Sequence, residues 1–176
     1  MSLAERYKNS LYAHNECDRY WIDPQMMIGG SILGREDWSH LVRDFTIGAE
    51  ITVECEHSDA DRGIPEGQLI ELPVADDAQP KPSSWFLAGV GFAANWMGPG
   101  QQKLYVHCQM GGSRSPAMGY AILRVCRGLT ADQALARIRE DKPGYGTSPH
   151  AMSYLFSAEA TITWMIAAGL ARTSVK

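Results

Sequence analysis

The amino-acid sequence predicts a single α/β domain. Short apolar runs of strand length punctuate it: Met26-Met27-Ile28, Ile51-Thr52-Val53, Gln68 to Val74 and Leu104-Tyr105-Val106. Between and after them lie longer stretches whose apolar residues recur near helical spacing. The chain has 176 residues, enough to bury one sizeable core and too few for two ordinary domains.

Residues 1–25 read as a lead-in, with a short helix and an end at Asp23-Pro24, and residues 26–170 as the domain proper. Met26-Met27-Ile28 and Ser31-Ile32-Leu33 form two short strands around a turn at Gly29-Gly30. Glu36 to Asp44 is a short helix with Trp38, Leu41 and Val42 on its inner face. Ile51-Thr52-Val53 is a strand, residues 56–67 a polar loop, and Gln68 to Val74 another strand. Ser83 to Met97 is an apolar helix capped by Ser83 or Ser84 and stopped by Gly98-Pro99-Gly100. Pro116 to Arg127 is a helix, with Met118, Ile122, Val125 and Leu129 near one face. Thr130 and Gln133 make a capping box for the helix that ends near Glu140. Ser148-Pro149 opens a last helix through Ala168, with Met152, Leu155, Phe156, Ile162 and Met165 inward.

Composition narrows the function. Hydrophobic residues make up 45% and charged residues 20% of the chain, and the net charge is −4. That balance gives no general basic field for nucleic acid or a membrane surface, so neither is expected as a partner. No apolar run is long enough to span a bilayer. The N-terminal stretch lacks the apolar core of a signal peptide, which leads us to expect a cytoplasmic protein. Cys17, Cys55, Cys108 and Cys126 are widely and irregularly spaced, unlike a disulfide framework or a zinc site. Cys17 and Cys126 read as structural, and no metal or cofactor is called for. The oligomeric state is not encoded in any pattern we can read.

One stretch carries chemistry: Lys103 to Gly119, KLYVHCQMGGSRSPAMG. An apolar strand runs into a polar, glycine-containing loop, and Ser115-Pro116 then looks like an N-cap followed by proline at the first helical position. Strand, tight loop and helix N-terminus together form an anion cradle, because successive N–H groups converge where the helix dipole is positive. Cys108 and Arg114 bracket it. The electropositive setting favours the thiolate, the nucleophilic form of cysteine. The arginine offers a permanently charged fork that matches two phosphate oxygens.

His107-Cys108, five intervening residues, then Arg114-Ser115, with Gly111 in the loop, resembles the signature of the cysteine-based protein phosphatases, and most of all their dual-specificity branch. The resemblance extends over about residues 26–164, although only the cradle and one acidic loop are specific. It implies a central, mainly parallel twisted sheet flanked by helices, the protein tyrosine phosphatase-like arrangement. It also implies a hydrolase acting on phosphorylated protein through a cysteinyl-phosphate intermediate. Cys108 is then the nucleophile, and Gln109, Met110, Gly111, Gly112, Ser113 and Arg114 bind phosphate. His107 orients the loop, and Ser115 donates to the cysteine sulfur besides capping the helix.

A general acid is needed for the departing oxygen. Asp76 and Asp77 lie in an exposed proline-flanked loop, thirty-two and thirty-one residues before Cys108, and spacing does not choose between them. Pro73-Val74-x-Asp76 followed by a polar linker resembles the family pattern with Asp76 as the acid; Asp77 is the alternative. Many members carry Asn after the Ser-Pro of the last helix, where this chain has His150, so a hydrogen bond from that position to the acid loop does not carry over. Residues 109–113 contain no lysine, unlike inositol-lipid phosphatases of the superfamily, which weighs against phosphoinositides. Two other functions stay open: a phospho-binding module with poor turnover, and a phosphatase of non-protein esters such as RNA 5′-phosphates. Some relatives protect the nucleophile with a disulfide from a neighbouring strand end. Cys55 sits at such an end, and the plainer reading is a small buried apolar residue.

Overall fold

A computed structural model of the chain describes residues 19–171. The expected N-terminal helix and Cys17 lie outside the described residues. Five strands form one sheet in the order β1-β2-β5-β3-β4, with β1 Tyr20–Asp23, β2 Met26–Gly29, β3 Ile47–Thr52, β4 Leu69–Glu71 and β5 Lys103–His107. Only the β1–β2 pair is antiparallel; β2–β5, β5–β3 and β3–β4 are parallel. Among the described residues five helices accompany them: α1 Arg35–Phe45, α2 Ser83–Ala94, α3 Arg114–Cys126, α4 Ala131–Asp141 and α5 Pro149–Ala167. This is the mixed α/β architecture, with a mostly parallel sheet between helices, that the sequence predicts.

Along β2 and β5 the side chains alternate between two cores, as a period of two requires, and β3 switches faces at the bulge between Ile47 and Ala49. Ile28, Ala49, Ile51, Leu104 and Val106 face the larger core with α2, α3, α4 and α5. Met27, Ile47 and Tyr105 face a smaller one with Trp38, Leu41 and Phe45 of α1. The central helix is α3, buried along Arg114 to Leu123. It lies close to the sheet because Gly119 has no side chain; a Cβ there would stand 2.4 Å from the Ile28 Cδ1 atom.

Several local expectations are corrected. The hairpin is one element earlier than expected: β2 pairs with Tyr20–Asp23, and Ser31-Ile32-Leu33 is not a strand. The turn at Pro24-Gln25 is held by the Asp23 side chain, which accepts from the Gln25 N–H. Val42 is exposed on α1, and Phe45 fills the inward position. Pro82, not Ser83 or Ser84, occupies the N-cap of α2. Ser113 holds the N-cap position of α3, which places Ser115 inside the first turn. On α5, Met152 and Phe156 are 57% and 78% exposed, whereas Ile162 and Met165 are buried. The Thr130–Gln133 capping box and the Ser148 cap form as expected.

Candidate active site

The cradle follows β5 and precedes α3, so its shape is set within a single strand–loop–helix unit. Three of its carbonyls are turned outward and satisfied by neighbours. The Gln109 carbonyl accepts from the Ser31 amide at 3.2 Å, that of Gly111 from the Lys142 ammonium at 3.0 Å, and that of Ser113 from the Tyr145 hydroxyl at 3.3 Å. Carbonyls held outward leave the loop amides to converge on the other side, the arrangement an anion requires. Gly111 makes the tightest turn, at φ +66°, with its absent Cβ only 2.8 Å from the Gly29 carbonyl carbon. Any other residue there is both strained and obstructed.

Cys108 is buried, 1% exposed, and its sulfur lies 3.3 Å from the Ser115 hydroxyl. Burial by itself opposes the thiolate. The Ser115 hydroxyl, the amides of Ser115 and Ser113 and the charge of Arg114 outweigh it and hold the thiol below its ordinary value. Arg114 is equally buried. Its Nη1 donates to the Glu56 carboxylate at 2.7 Å and to the Val74 carbonyl at 2.9 Å, which fixes the plane of the guanidinium.

The two adjacent acids separate. Asp76 points to the cradle: Ser113 Oγ donates to its Oδ2 at 2.8 Å, and Arg114 Nε lies 3.8 Å from the same oxygen. Asp77 instead turns to Lys81 and to the Gln79 amide. The acid loop is also tied to α5. The Tyr154 hydroxyl donates to Asp76 Oδ1 at 2.9 Å and accepts from the Ala78 amide at 3.2 Å. Further along the same helix face, Ser157 Oγ accepts from the Lys81 amide at 3.1 Å.

Behind the cradle, on the α1 face of the sheet, His107 is fully buried between two carboxylates. Its Nε2 is 3.0 Å from Glu50 Oε1 and 3.0 Å from Asp59 Oδ2, and its ring stacks on Tyr105. Burial disfavours the imidazolium, but Glu50 and Asp59 prevail and push its pKa up to about 10. Burial lifts Glu50 to about 7, whereas hydrogen bonding to His107 overcomes burial at Asp59 and keeps that carboxyl below its usual range. Asp59 is therefore the more acidic of the two carboxyls, and Glu50 the one that burial drives toward its neutral form. The three side chains are also close enough together to surround a cation, a charge the imidazolium already supplies.

The model of the dual specificity phosphatase catalytic domain matches residues 36–161. The chain belongs to this family. No curated protein matches it in sequence. Among solved structures, PTPMT1 in complex with PI(5)P superimposes with a TM-score of 0.69 at 21% identity, over 88% of this chain and 99% of that one. Human DUSP28 gives 0.67 at 19% identity, covering 82% and 95%. The PTP-2 phosphatase of Cydia pomonella gives 0.66 at 15%, covering 79% and 89%. These likenesses establish the fold, and the family model establishes a cysteine-based phosphatase acting on a phosphorylated substrate.

Within this phosphatase, Cys108, Arg114, Ser115 and Asp76 come together, as do loop residues 109–113; the His107 side chain lies behind them, bonded to Glu50 rather than to the loop it was expected to orient, and Asp77 does not join them. Ser115 meets the Cys108 sulfur but does not cap α3. Four partners escape sequence reasoning. Glu56 and Asp59 sit in what reads as an undifferentiated polar loop, Glu50 lies inside a strand, and Tyr154 lies in the last helix. Tyr154 occupies the acid-loop position expected of residue 150; His150 instead packs edge-on against the Tyr154 ring. Cys55 is exposed rather than buried, and Cys55 and Cys108 are both free thiols. Half-buried Cys126 is pushed up to about 11 by burial, which makes it a poor nucleophile. Among the described residues, no helix is long and apolar enough to cross a membrane.

Proposed function

We propose that this phosphatase hydrolyses phosphotyrosine, and phosphoserine or phosphothreonine, in proteins or peptides, with Cys108 as nucleophile. The observation that carries the catalytic part is the convergence of a thiol held below its ordinary pKa, a buried Arg114 and the Asp76 carboxyl on one cradle. Cys108 Sγ attacks phosphorus, and the loop amides and Arg114 hold the equatorial oxygens where charge accumulates. Asp76 protonates the departing oxygen. Water then attacks the cysteinyl phosphate with Asp76 as base, and the Ser115 hydroxyl supports the sulfur as it leaves. His107 acts as a buried prop rather than in proton transfer.

The protein substrate is supported by the cradle's lack of lysine in residues 109–113. Among the described residues, the lysine that reaches this loop is Lys142, which donates a hydrogen bond to the Gly111 carbonyl. A lipid substrate is the second reading, favoured by the fold shared with PTPMT1, whose structure was solved with PI(5)P. Phosphate release should be followed from a phosphotyrosine peptide, a phosphothreonine peptide, a phosphoinositide and an RNA 5′-phosphate. Peptide preference, abolished in Cys108→Ser, supports the proposal. Preference for the lipid or the RNA replaces it, and peptide binding without release makes the protein a phospho-binding module.

A further inference from the structure

We infer that Tyr154 is the positioning residue that directs the catalytic proton of Asp76, deciding which of the two carboxyl oxygens carries it. The inference rests on the function proposed above and concerns how its acid is delivered.

Tyr154 is buried and lies on α5, far in sequence from both the acid and the nucleophile. Its hydroxyl has two partners of opposite kind. The Ala78 N–H donates to the phenol oxygen, so the phenol's own hydrogen is directed at Asp76 Oδ1. Burial and the neighbouring Asp76 carboxylate push the phenol up to about 12, so it stays protonated, and with the Ala78 N–H aimed at its oxygen its hydrogen has Oδ1 as acceptor. A proton on Oδ1 would take that acceptor away. Oδ2 meets a different neighbour, the Ser113 hydroxyl, which can rotate from donor to acceptor. The proton of the neutral acid therefore resides on Oδ2, the oxygen beside the cradle and Arg114.

The ring is braced so that the hydroxyl stays in place. The Lys81 ammonium lies 4.6 Å from the ring centroid while donating to the Ala75 carbonyl, and His150 packs against one edge. Ser157 accepts from the Lys81 amide of the loop, and Thr161 bonds the Ser83 hydroxyl at the start of α2. The acid loop is thereby docked along one α5 face. In the first chemical step the Sγ–P bond forms and the P–O bond to the leaving group breaks. The electron pair stays on the leaving oxygen, which takes the proton from Asp76 Oδ2. The resulting carboxylate keeps the Tyr154 hydrogen bond on Oδ1, a stronger contact to the charged form than to the neutral one.

Tyr154→Phe removes only the hydroxyl. We would compare it with the unmodified protein on two aryl esters, one leaving as weakly basic nitrophenolate and one as phenolate, whose high basicity demands the proton. The expected result is a fall in kcat/KM of about tenfold on phenyl phosphate and less than twofold on nitrophenyl phosphate. In an Asp76→Asn background the same change should cost nothing on phenyl phosphate. Equal losses on both esters, no loss on either, or an undiminished loss in the Asp76→Asn background would overturn the inference while the enzyme reading stands. Absence of turnover by the unmodified protein overturns both.

Discussion

Glu56 Oε2 lies 2.7 Å from Arg114 Nη1, at the one arginine among the described residues that is almost completely buried. A buried guanidinium held on one edge presents the remainder of its fork in a fixed plane, which suits two phosphate oxygens. Glu56→Ala should raise KM for an aryl phosphate several-fold with a smaller change in kcat. Arg114→Lys should cost about a hundredfold in kcat, because a point charge cannot replace the fork at the transition state. Steady-state kinetics check both, and an Arg114→Lys enzyme with unimpaired kcat would remove Arg114 from the mechanism.

Ser115 holds the thiolate. Its hydroxyl lies 3.3 Å from the sulfur and is the leading influence offsetting burial there. Ser115→Ala should move the pH midpoint of Cys108 alkylation upward and slow breakdown of the phosphoenzyme, visible as a burst of phenol release followed by slow turnover. Because Ser113, not Ser115, takes the N-cap position of α3, the change should cost little thermal stability.

The His107 cluster sets an alkaline limit on stability. His107 titrates at about 10 in the folded protein against 6.5 ordinarily, so its contribution is complete below pH 6.5 and is lost as pH rises toward 10. Glu50, raised from 4.5 to about 7, has the same sign: the folded state keeps a proton that the unfolded chain releases, and stability declines across that interval. Tm should therefore fall from mildly acidic to alkaline pH, and His107→Gln should flatten the alkaline arm while destabilising the protein by about 3–5 kcal/mol. Calorimetry at pH 5 to 10 measures both.

The same cluster predicts an asymmetry between its acids. Burial drives Glu50 toward its neutral form, so the neutral isostere Glu50→Gln should cost less than the matching change at Asp59. Asp59 is ionised, and Asp59→Asn leaves the imidazolium without its counter-ion, at a cost of about 3 kcal/mol or more. Equal losses for the two variants would disprove the charge assignment.

Gly111→Ala should reduce phosphate hydrolysis by at least tenfold and lower stability by about 1–3 kcal/mol. Its backbone sits at φ +66°, and the new methyl group would press on the Gly29 backbone. Chemical denaturation and turnover together check the two effects.

What could be read from the sequence was what lies close together along it. Cys108 and Arg114 share one strand–loop–helix turn, so their spacing alone dictates that they face one anion. The alternation of apolar strands and helices likewise revealed the α/β class. Glu56, Asp59 and Tyr154 reach the site only through packing of β3, its following loop and α5 against β5 and α3, and nothing local marks them among other polar residues. The inward face of helix α5 is hidden for a related reason. The helix carries apolar residues on most of its circumference, so periodicity did not distinguish the buried Ile162 and Met165 from the exposed Met152 and Phe156. The first hairpin was misplaced because Gly29-Gly30 looks like the stronger turn, whereas Gly29 is the last residue of β2 and the chain actually reverses at Pro24-Gln25.

That hairpin matters for anyone trimming the protein to its catalytic unit. β1 covers the free side of β2, and β2 is the immediate neighbour of the strand that delivers Cys108. Cutting the chain just before Met26 would leave β2 as an unprotected sheet border, with unpaired N–H and C=O groups open to any passing strand. It would also remove Trp21 from the core beneath α1 and Asp23 from its paired contacts with Arg127 at the end of α3. The minimal active unit accordingly begins no later than Tyr20, well ahead of the region that the family model recognises.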